Sequence, residues 1–226
     1  MITILRNAAN ASLLILCATL APSQAGPPAG ADPSSDWRPL FDGRSLEGWE
    51  HVGPGKFVVE DGVLHTKGGM GLLWYSREKL GNCVIRVVYK TANDHSNSGV
   101  YIRIADRPQD PWYAVHHGFE VQIMDRGSEG RSTGSIYTFA KASAEPFKSG
   151  EWNTLEVTLK GQSVVTKING TQVTEFDASE LKAESPDKTG EGDPARGPRP
   201  ESGYIGLQNH DENSVVYFKD VSVHAL

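Results

Sequence analysis

Short runs in which apolar and polar residues alternate, separated by turn residues, make up most of this chain. The alternation is clearest at 100–104, 119–123 and 153–159. Because successive side chains of a strand point to opposite faces, these runs predict strands with one apolar face. Asp61-Gly62 and Asn169-Gly170 each separate two such runs, which is typical of two-residue hairpin turns.

About ten to twelve such runs can be counted, and helical periodicity is nearly absent. The best helix candidate, 178–183, is one or two turns long. Residues 184–202 are rich in Pro, Gly and charge and predict a long surface loop, since strands resume after them. The pattern therefore predicts an all-β sandwich or barrel.

The N-terminus predicts export. Arg6 is the only charged residue in the first thirty, an apolar run follows at 11–21, and Ser23-Gln24-Ala25 is a small-x-small cleavage pattern. We interpret 1–25 as a signal peptide, 26–36 as a flexible linker and 37–226 as one domain, in a periplasmic or secreted protein. The alternative is an N-terminal membrane anchor, but the apolar run is short for a membrane span.

Charge and cysteine content exclude several classes. The chain has 22 Lys and Arg against 28 Asp and Glu, a net charge of −6, and no basic stripe, so we expect no nucleic-acid partner. Removal of the signal peptide removes Cys17 and leaves Cys83, so no internal disulfide is expected. The cysteines and histidines show no zinc-ligand spacing.

Three runs place large hydrogen-bonding groups opposite their apolar residues. If these strands are neighbours, one polar face would hold Tyr101, Arg103, Glu120, Gln122, Gln208 and His210. Directional donors and acceptors of this kind suit the hydroxyls of a carbohydrate. The alternative is the ordinary solvated face of an antiparallel sheet.

Flanking residues could extend this face. Asn97 could cap the patch or make a turn, and Tyr137 could lie near it or in the core. Trp112 and Tyr113 lie in a loop where they could stack on a sugar ring or pack at a sheet edge.

Several motifs together resemble one family. In order they are Phe41-Asp42-Gly43, Leu46-x-Gly48-Trp49, 97–103, 119–125, Gly134-Ser135-Ile136-Tyr137, Glu151-Trp152-Asn153 and 203–210. From about Trp37 to the C-terminus the chain resembles the 3-keto-disaccharide hydrolase family, also described as the 3-keto-glucoside 1,2-lyase/3-keto-2-hydroxy-glucal hydratase domain. The resemblance implies a concanavalin A-like jelly roll of two antiparallel sheets.

The resemblance also implies a reaction, the cleavage of a glycoside already oxidised at C3. The keto group acidifies the C2 proton, a base removes it, the C1 substituent leaves and water adds. We expect Glu120 or His210 to be the base, with Arg103 and Gln208 holding the carbonyl or enolate oxygen. The residues expected to contact the rest of the substrate are Asn97, Tyr101, Gln122 and Tyr137.

Glu120 and His210 are also the candidate ligands of a divalent metal ion, and no other cofactor is expected. A sugar 3-dehydrogenase would have to supply the 3-keto substrate. The alternative function is a non-catalytic, lectin-like carbohydrate-binding domain, since many chains of this fold only bind sugars.

Overall fold

A computed structural model of the chain describes residues 36–128, 130–182 and 197–226. The predicted signal peptide, the linker up to residue 35 and most of the predicted loop 184–202 lie outside the described residues. Those assignments therefore stay predictions. Within the described ranges, no helix has the length and apolar character needed to cross a membrane.

The described residues form thirteen strands and two short helices. The strands are Arg38–Pro39 (β1), Trp49–Val52 (β2), Lys56–Glu60 (β3), Val63–Lys67 (β4), Gly71–Tyr75 (β5), Cys83–Thr91 (β6), Asn97–Ile104 (β7), Phe119–Met124 (β8), Asn153–Lys160 (β9), Ser163–Ile168 (β10), Thr171–Asp177 (β11), Tyr204–Asn209 (β12) and Val216–Ala225 (β13). The helices are Trp112–His117 (α1) and a 3-10 turn, Ala178–Glu180, which is shorter than the predicted 178–183.

These strands form two antiparallel sheets. The larger runs β11-β10-β9-β6-β13-β4-β3, with β1 paired to β13, and the smaller runs β2-β5-β12-β7-β8. Both predicted hairpins are present, and Asp61, Gly62, Asn169 and Gly170 all have positive φ as the turns require. The prediction of an all-β jelly-roll sandwich is confirmed.

The main core lies between the two sheets. Ile85 and Val87 of β6 and Leu155 of β9 face Val100 and Ile102 of β7, and all are fully buried. Each such side chain contributes about 1.5–3 kcal/mol by leaving water. The strand alternation that builds this core directs the intervening residues of β7, β8 and β12 to the outer face of the smaller sheet.

Part of that outer face is also buried. Leu72, Trp74 and Tyr101 pack there with Ala114 and Val115 of α1 in a second apolar cluster. The helix thus covers one end of the outer face, and the candidate site begins beside it.

Candidate functional site

A hollow of about 430 Å³ lies on the outer face of the smaller sheet. Glu120 and Gln122 of β8 and Gln208 of β12 reach it from strands whose other residues enter the core. The full lining is Met70, Asn97, Trp112, Val115, Glu120, Gln122, Met124, Ser128, Arg131, Tyr137, Gln208 and His210. The volume is within the range of small-ligand sites.

The structure brings six of the eight sequence-predicted site residues to this hollow. They are Asn97, Glu120, Gln122, Tyr137, Gln208 and His210. The contacts explain two of these placements: the backbone N–H of Tyr137 donates to the Glu120 carbonyl at 2.9 Å, so the segment after β8 runs alongside it.

Tyr101 was expected to contact substrate, but it lies beneath the hollow. Its side chain is completely buried, and its hydroxyl accepts a hydrogen bond from Nε2 of Gln208 at 2.6 Å. Tyr101 is paired directly across β7 and β8 with Glu120 and also hydrogen-bonds to the Glu120 carboxyl. Tyr101 therefore does not line the hollow, and its side chain instead supports two residues that do, Glu120 and Gln208.

Arg103 was expected on the same polar face as Glu120, but the structure places its side chain outside the hollow. Its φ is 56°, and the pairing of β7 with β12 shifts register opposite it, so regular alternation ends there. The guanidinium instead donates to the backbone carbonyls of Gly161 at 2.7 Å and Pro200 at 3.4 Å. Gly161 lies in the turn between β9 and β10 of the larger sheet, so Arg103 ties the two sheets together.

Glu120 is the most perturbed acid of the hollow. Burial raises the pKa of its carboxyl from 4.5 to about 8, although hydrogen bonds with Tyr101 and Gln208 act to lower it. Space for this carboxyl depends on Gly99 of β7, because a methyl group there would lie 2.5 Å from Oε1 of Glu120.

His210 is oriented by its neighbour in the chain. Its Nδ1 lies 2.7 Å from Oδ2 of Asp211, whose Oδ1 also accepts the backbone N–H groups of Asn213 and Ser214. Burial acts to raise the pKa of Asp211, but the hydrogen bonds from His210, Asn213 and Ser214 lower it overall. An ionised Asp211 only accepts, so Nδ1 carries the proton and Nε2 remains available.

A hydrogen-bonded chain connects His210 with the floor of the hollow. The Ser214 hydroxyl donates to Asp211 at 2.9 Å and accepts the backbone N–H of Asn97 at 3.0 Å. Nε2 of Gln122 then donates to Oδ1 of Asn97 at 2.6 Å. Asn97 therefore holds Gln122 in place as well as lining the hollow.

The rim contains residues that the alternation did not predict. Arg131 lines the hollow and stacks 5.4 Å from the ring centre of Tyr137, so the hollow contains a cation although Arg103 is absent from it. Trp112, 49% exposed, lines the rim, whereas Tyr113 packs on His117. Arg131 lies in a segment without regular structure, where no two-residue period indicates which way a side chain points.

Metal binding at this site stays a prediction. Glu120 and His210 line the same hollow and offer two donors. In the part of the chain that the structure describes, no group of three or more His, Cys, Asp or Glu residues could hold an ion.

Comparisons with known proteins agree with this architecture. Residues 36–224 match a family described as the 3-keto-alpha-glucoside-1,2-lyase-like domain. A candidate glycosyl hydrolase from Parabacteroides distasonis is 27% identical, with a TM-score of 0.67, over 84% of this chain and 99% of that one. None of the curated proteins matches the chain.

More distant structures share the fold alone. A protein with a galectin-like fold from Bacillus subtilis is 16% identical, with a TM-score of 0.59, over 83% of this chain and 94% of that one. The carbohydrate-binding module CBM66 from Bacillus subtilis is 13% identical, with a TM-score of 0.54, over 79% of this chain and 96% of that one.

The raised pKa of Glu120 predicts a pH-dependent stability. Between about pH 4.5 and pH 8 the unfolded carboxyl is ionised while the folded one keeps its proton, so the free energy of unfolding falls as pH rises. Glu120→Gln removes this loss and should be more stable than the parent by on the order of a few kcal/mol at pH 9. Urea unfolding at pH 5 and pH 9 measures the difference. Glu180→Gln, at an exposed position, is the control, and a parent and Glu120→Gln variant with the same pH slope would contradict the prediction.

The close approach of Gly99 to Glu120 predicts a second effect. In Gly99→Ala the new methyl group would lie within 2.9 Å of three atoms of the Glu120 side chain, so that side chain must move. We expect a loss of about 1–3 kcal/mol in the free energy of unfolding, measured in urea. Gly81→Ala is the matched control because nothing lies within 4 Å of the added group. Equal stabilities for the two variants would show that Glu120 is not confined by β7.

Proposed function

Because this chain belongs to the 3-keto-alpha-glucoside-1,2-lyase-like family, matched over residues 36–224, we propose that it cleaves 3-keto-glycosides by elimination and hydration. The observation that carries the proposal is a buried carboxyl, Glu120, in a ligand-sized hollow that polar side chains also line. The similarity to the glycosyl hydrolase candidate from Parabacteroides distasonis supports the same substrate class.

Glu120 is the proposed base. Its carboxylate takes the C2 proton, and the electron pair left at C2 is delocalised onto the C3 oxygen as an enolate. The enolate collapses, the bond from C1 to the leaving oxygen breaks, and a C1–C2 double bond forms. A pKa of about 8 makes this carboxylate more basic than an ordinary one while leaving it partly ionised near neutral pH.

Arg131 and Tyr137 are the proposed donors to the enolate oxygen. Both line the hollow, and their side chains are in contact with each other. Arg103 is not a proposed donor, because it does not line the hollow and its guanidinium donates to backbone carbonyls elsewhere. Preorganised donors at a developing oxyanion supply a large share of the stabilisation in reactions of this type.

His210 is proposed to handle the second proton. With Nδ1 held by Asp211, Nε2 of the imidazolium protonates the departing oxygen. The neutral ring then takes a proton from the water that adds to C1, while Glu120 returns its proton to C2. The cycle restores both groups and gives net hydrolysis.

The activity test uses a 3-keto-glucoside and follows release of the aglycone. We expect turnover by the parent, and a loss of about 10²–10⁴-fold in kcat in Glu120→Gln, which keeps the side-chain volume but removes the base. Glu180→Gln, at an exposed position that does not line the hollow, is expected to retain parental kcat. Parent rates equal to those in buffer would end the enzyme proposal. Retained sugar binding with a graded response to Glu120→Gln and His210→Asn would then favour the lectin-like alternative.

The expected metal ion is tested in the same assay. If Glu120 and His210 hold a divalent ion, a chelator abolishes turnover and the added cation restores it. Turnover that is unchanged after exhaustive chelation would remove the ion from the mechanism.

A further inference from the structure

Two glutamine carbonyls at the floor of the hollow have no hydrogen-bond partner. Oε1 of Gln122 and Oε1 of Gln208 are both buried and unpaired, in side chains that are only 2% and 3% exposed. Buried polar groups are nearly always hydrogen-bonded, and an unpaired one costs about 1–3 kcal/mol. Two unpaired carbonyls in side chains that line one ligand-sized hollow indicate that a bound ligand supplies hydrogen-bond donors to them.

The amide nitrogens of Gln122 and Gln208 are both hydrogen-bonded, which leaves only their carbonyl oxygens without partners. Nε2 of Gln208 donates to the Tyr101 hydroxyl at 2.6 Å, and the proton of that hydroxyl is used in the hydrogen bond to the Glu120 carboxylate. Nε2 of Gln122 donates to Oδ1 of Asn97 at 2.6 Å. Each side chain is therefore anchored by its donor end, its acceptor end has no partner, and both side chains line the hollow.

Beside Glu120, the floor thus presents two acceptors, the side-chain carbonyls of Gln122 and Gln208. A ketone oxygen only accepts and gains nothing from such a floor, whereas a hydroxyl group donates to it. Donors stand at the rim instead, on Arg131 and Tyr137. Acceptors at the floor suit hydroxyl groups, and donors at the rim suit a ketone oxygen, so the hollow offers different partners to these two kinds of sugar oxygen.

We propose that Gln122 and Gln208 are specificity-determining residues, each accepting a hydrogen bond from one free hydroxyl of the sugar ring, with the C3 oxygen turned toward Arg131 and Tyr137. The part that concerns the C3 oxygen rests on the proposed function. The two hydroxyl contacts rest on the unpaired carbonyls and on a carbohydrate ligand, and they do not require the cleavage reaction. The hollow would then select a ring with two unsubstituted hydroxyls among those at C2, C4 and C6.

The test measures binding of methyl glucosides, both anomers, to the unmodified protein by calorimetry. These compounds are not oxidised at C3, so binding is read without turnover. Deoxygenation at two of the positions 2, 4 and 6 should weaken binding by about 10- to 100-fold each, the cost of leaving a buried carbonyl unpaired. Fluorine at the same positions should not restore affinity, because it accepts but cannot donate.

Two variants assign the contacts. In Gln122→Met the loss of affinity on deoxygenation should vanish at one ring position, and in Gln208→Met it should vanish at the other. Gln172→Met, at an exposed site on β11, is the control and should show both losses of affinity. If a variant does not fold, the analogue series on the unmodified protein still decides. The inference is overturned if no position is penalised more than about threefold, if fluorine restores binding, or if both penalties persist in both variants. Failure of 3-keto-glucoside cleavage with this binding pattern intact would reject the proposed function only.

Discussion

The candidate site depends on one constraint. The Glu120 carboxyl lies on the outer face of a sheet and must nevertheless be kept out of water. A side chain in that position is ordinarily solvated, so Glu120 is buried only because other elements cover the face. Trp112 and Val115 of α1 close one side of the hollow, and Arg131 and Tyr137 from the segment after β8 close another. Burial is the largest cause of the raised pKa, so the proton affinity of Glu120 is set by this cover more than by any single hydrogen bond.

The position of α1, which covers one side of the hollow, is fixed in turn by Arg199, a buried arginine outside the hollow. Arg199 donates to the carbonyls of His116 and Gly118, each at 3.0 Å, and so ties the end of α1 to the segment that leads into β12. Arg103 binds Pro200, one residue further along, and connects the same segment to the larger sheet. Guanidinium groups suit this task because they can donate several bonds in fixed directions to backbone carbonyls. The sequence predicted a catalytic role for Arg103, whereas in the structure its guanidinium connects segments of the fold.

How far the sequence could predict the site depends on where regular alternation holds. Glu120, Gln122 and Gln208 lie on regularly paired stretches of their strands, so the two-residue period predicted their common face. The period also placed Tyr101 on that face, but it could not show that α1 would bury the residue. It failed at Arg103 because the backbone there leaves the strand conformation. Arg131 lies in a loop, where position depends on tertiary contacts that no local pattern encodes. The sheets and hairpins were predictable because they follow from local signals, whereas the cover of the hollow does not.

One hydrogen-bond arrangement fixes both the floor glutamines and Glu120. The amide nitrogen of Gln122 is directed to Asn97, and that of Gln208 is directed to Tyr101. Hydrogen bonds with Tyr101 and Gln208 act to lower the pKa of Glu120, but burial outweighs them and the pKa stays raised. Oε1 of Gln122 and Oε1 of Gln208 are left without partners. A sugar whose hydroxyls engage those carbonyls would displace water from the hollow and leave the carboxylate still less solvated. Recognition of hydroxyls and strength of the base are thus coupled, and a floor redesigned with free donors would bind ketones better while making Glu120 a weaker base.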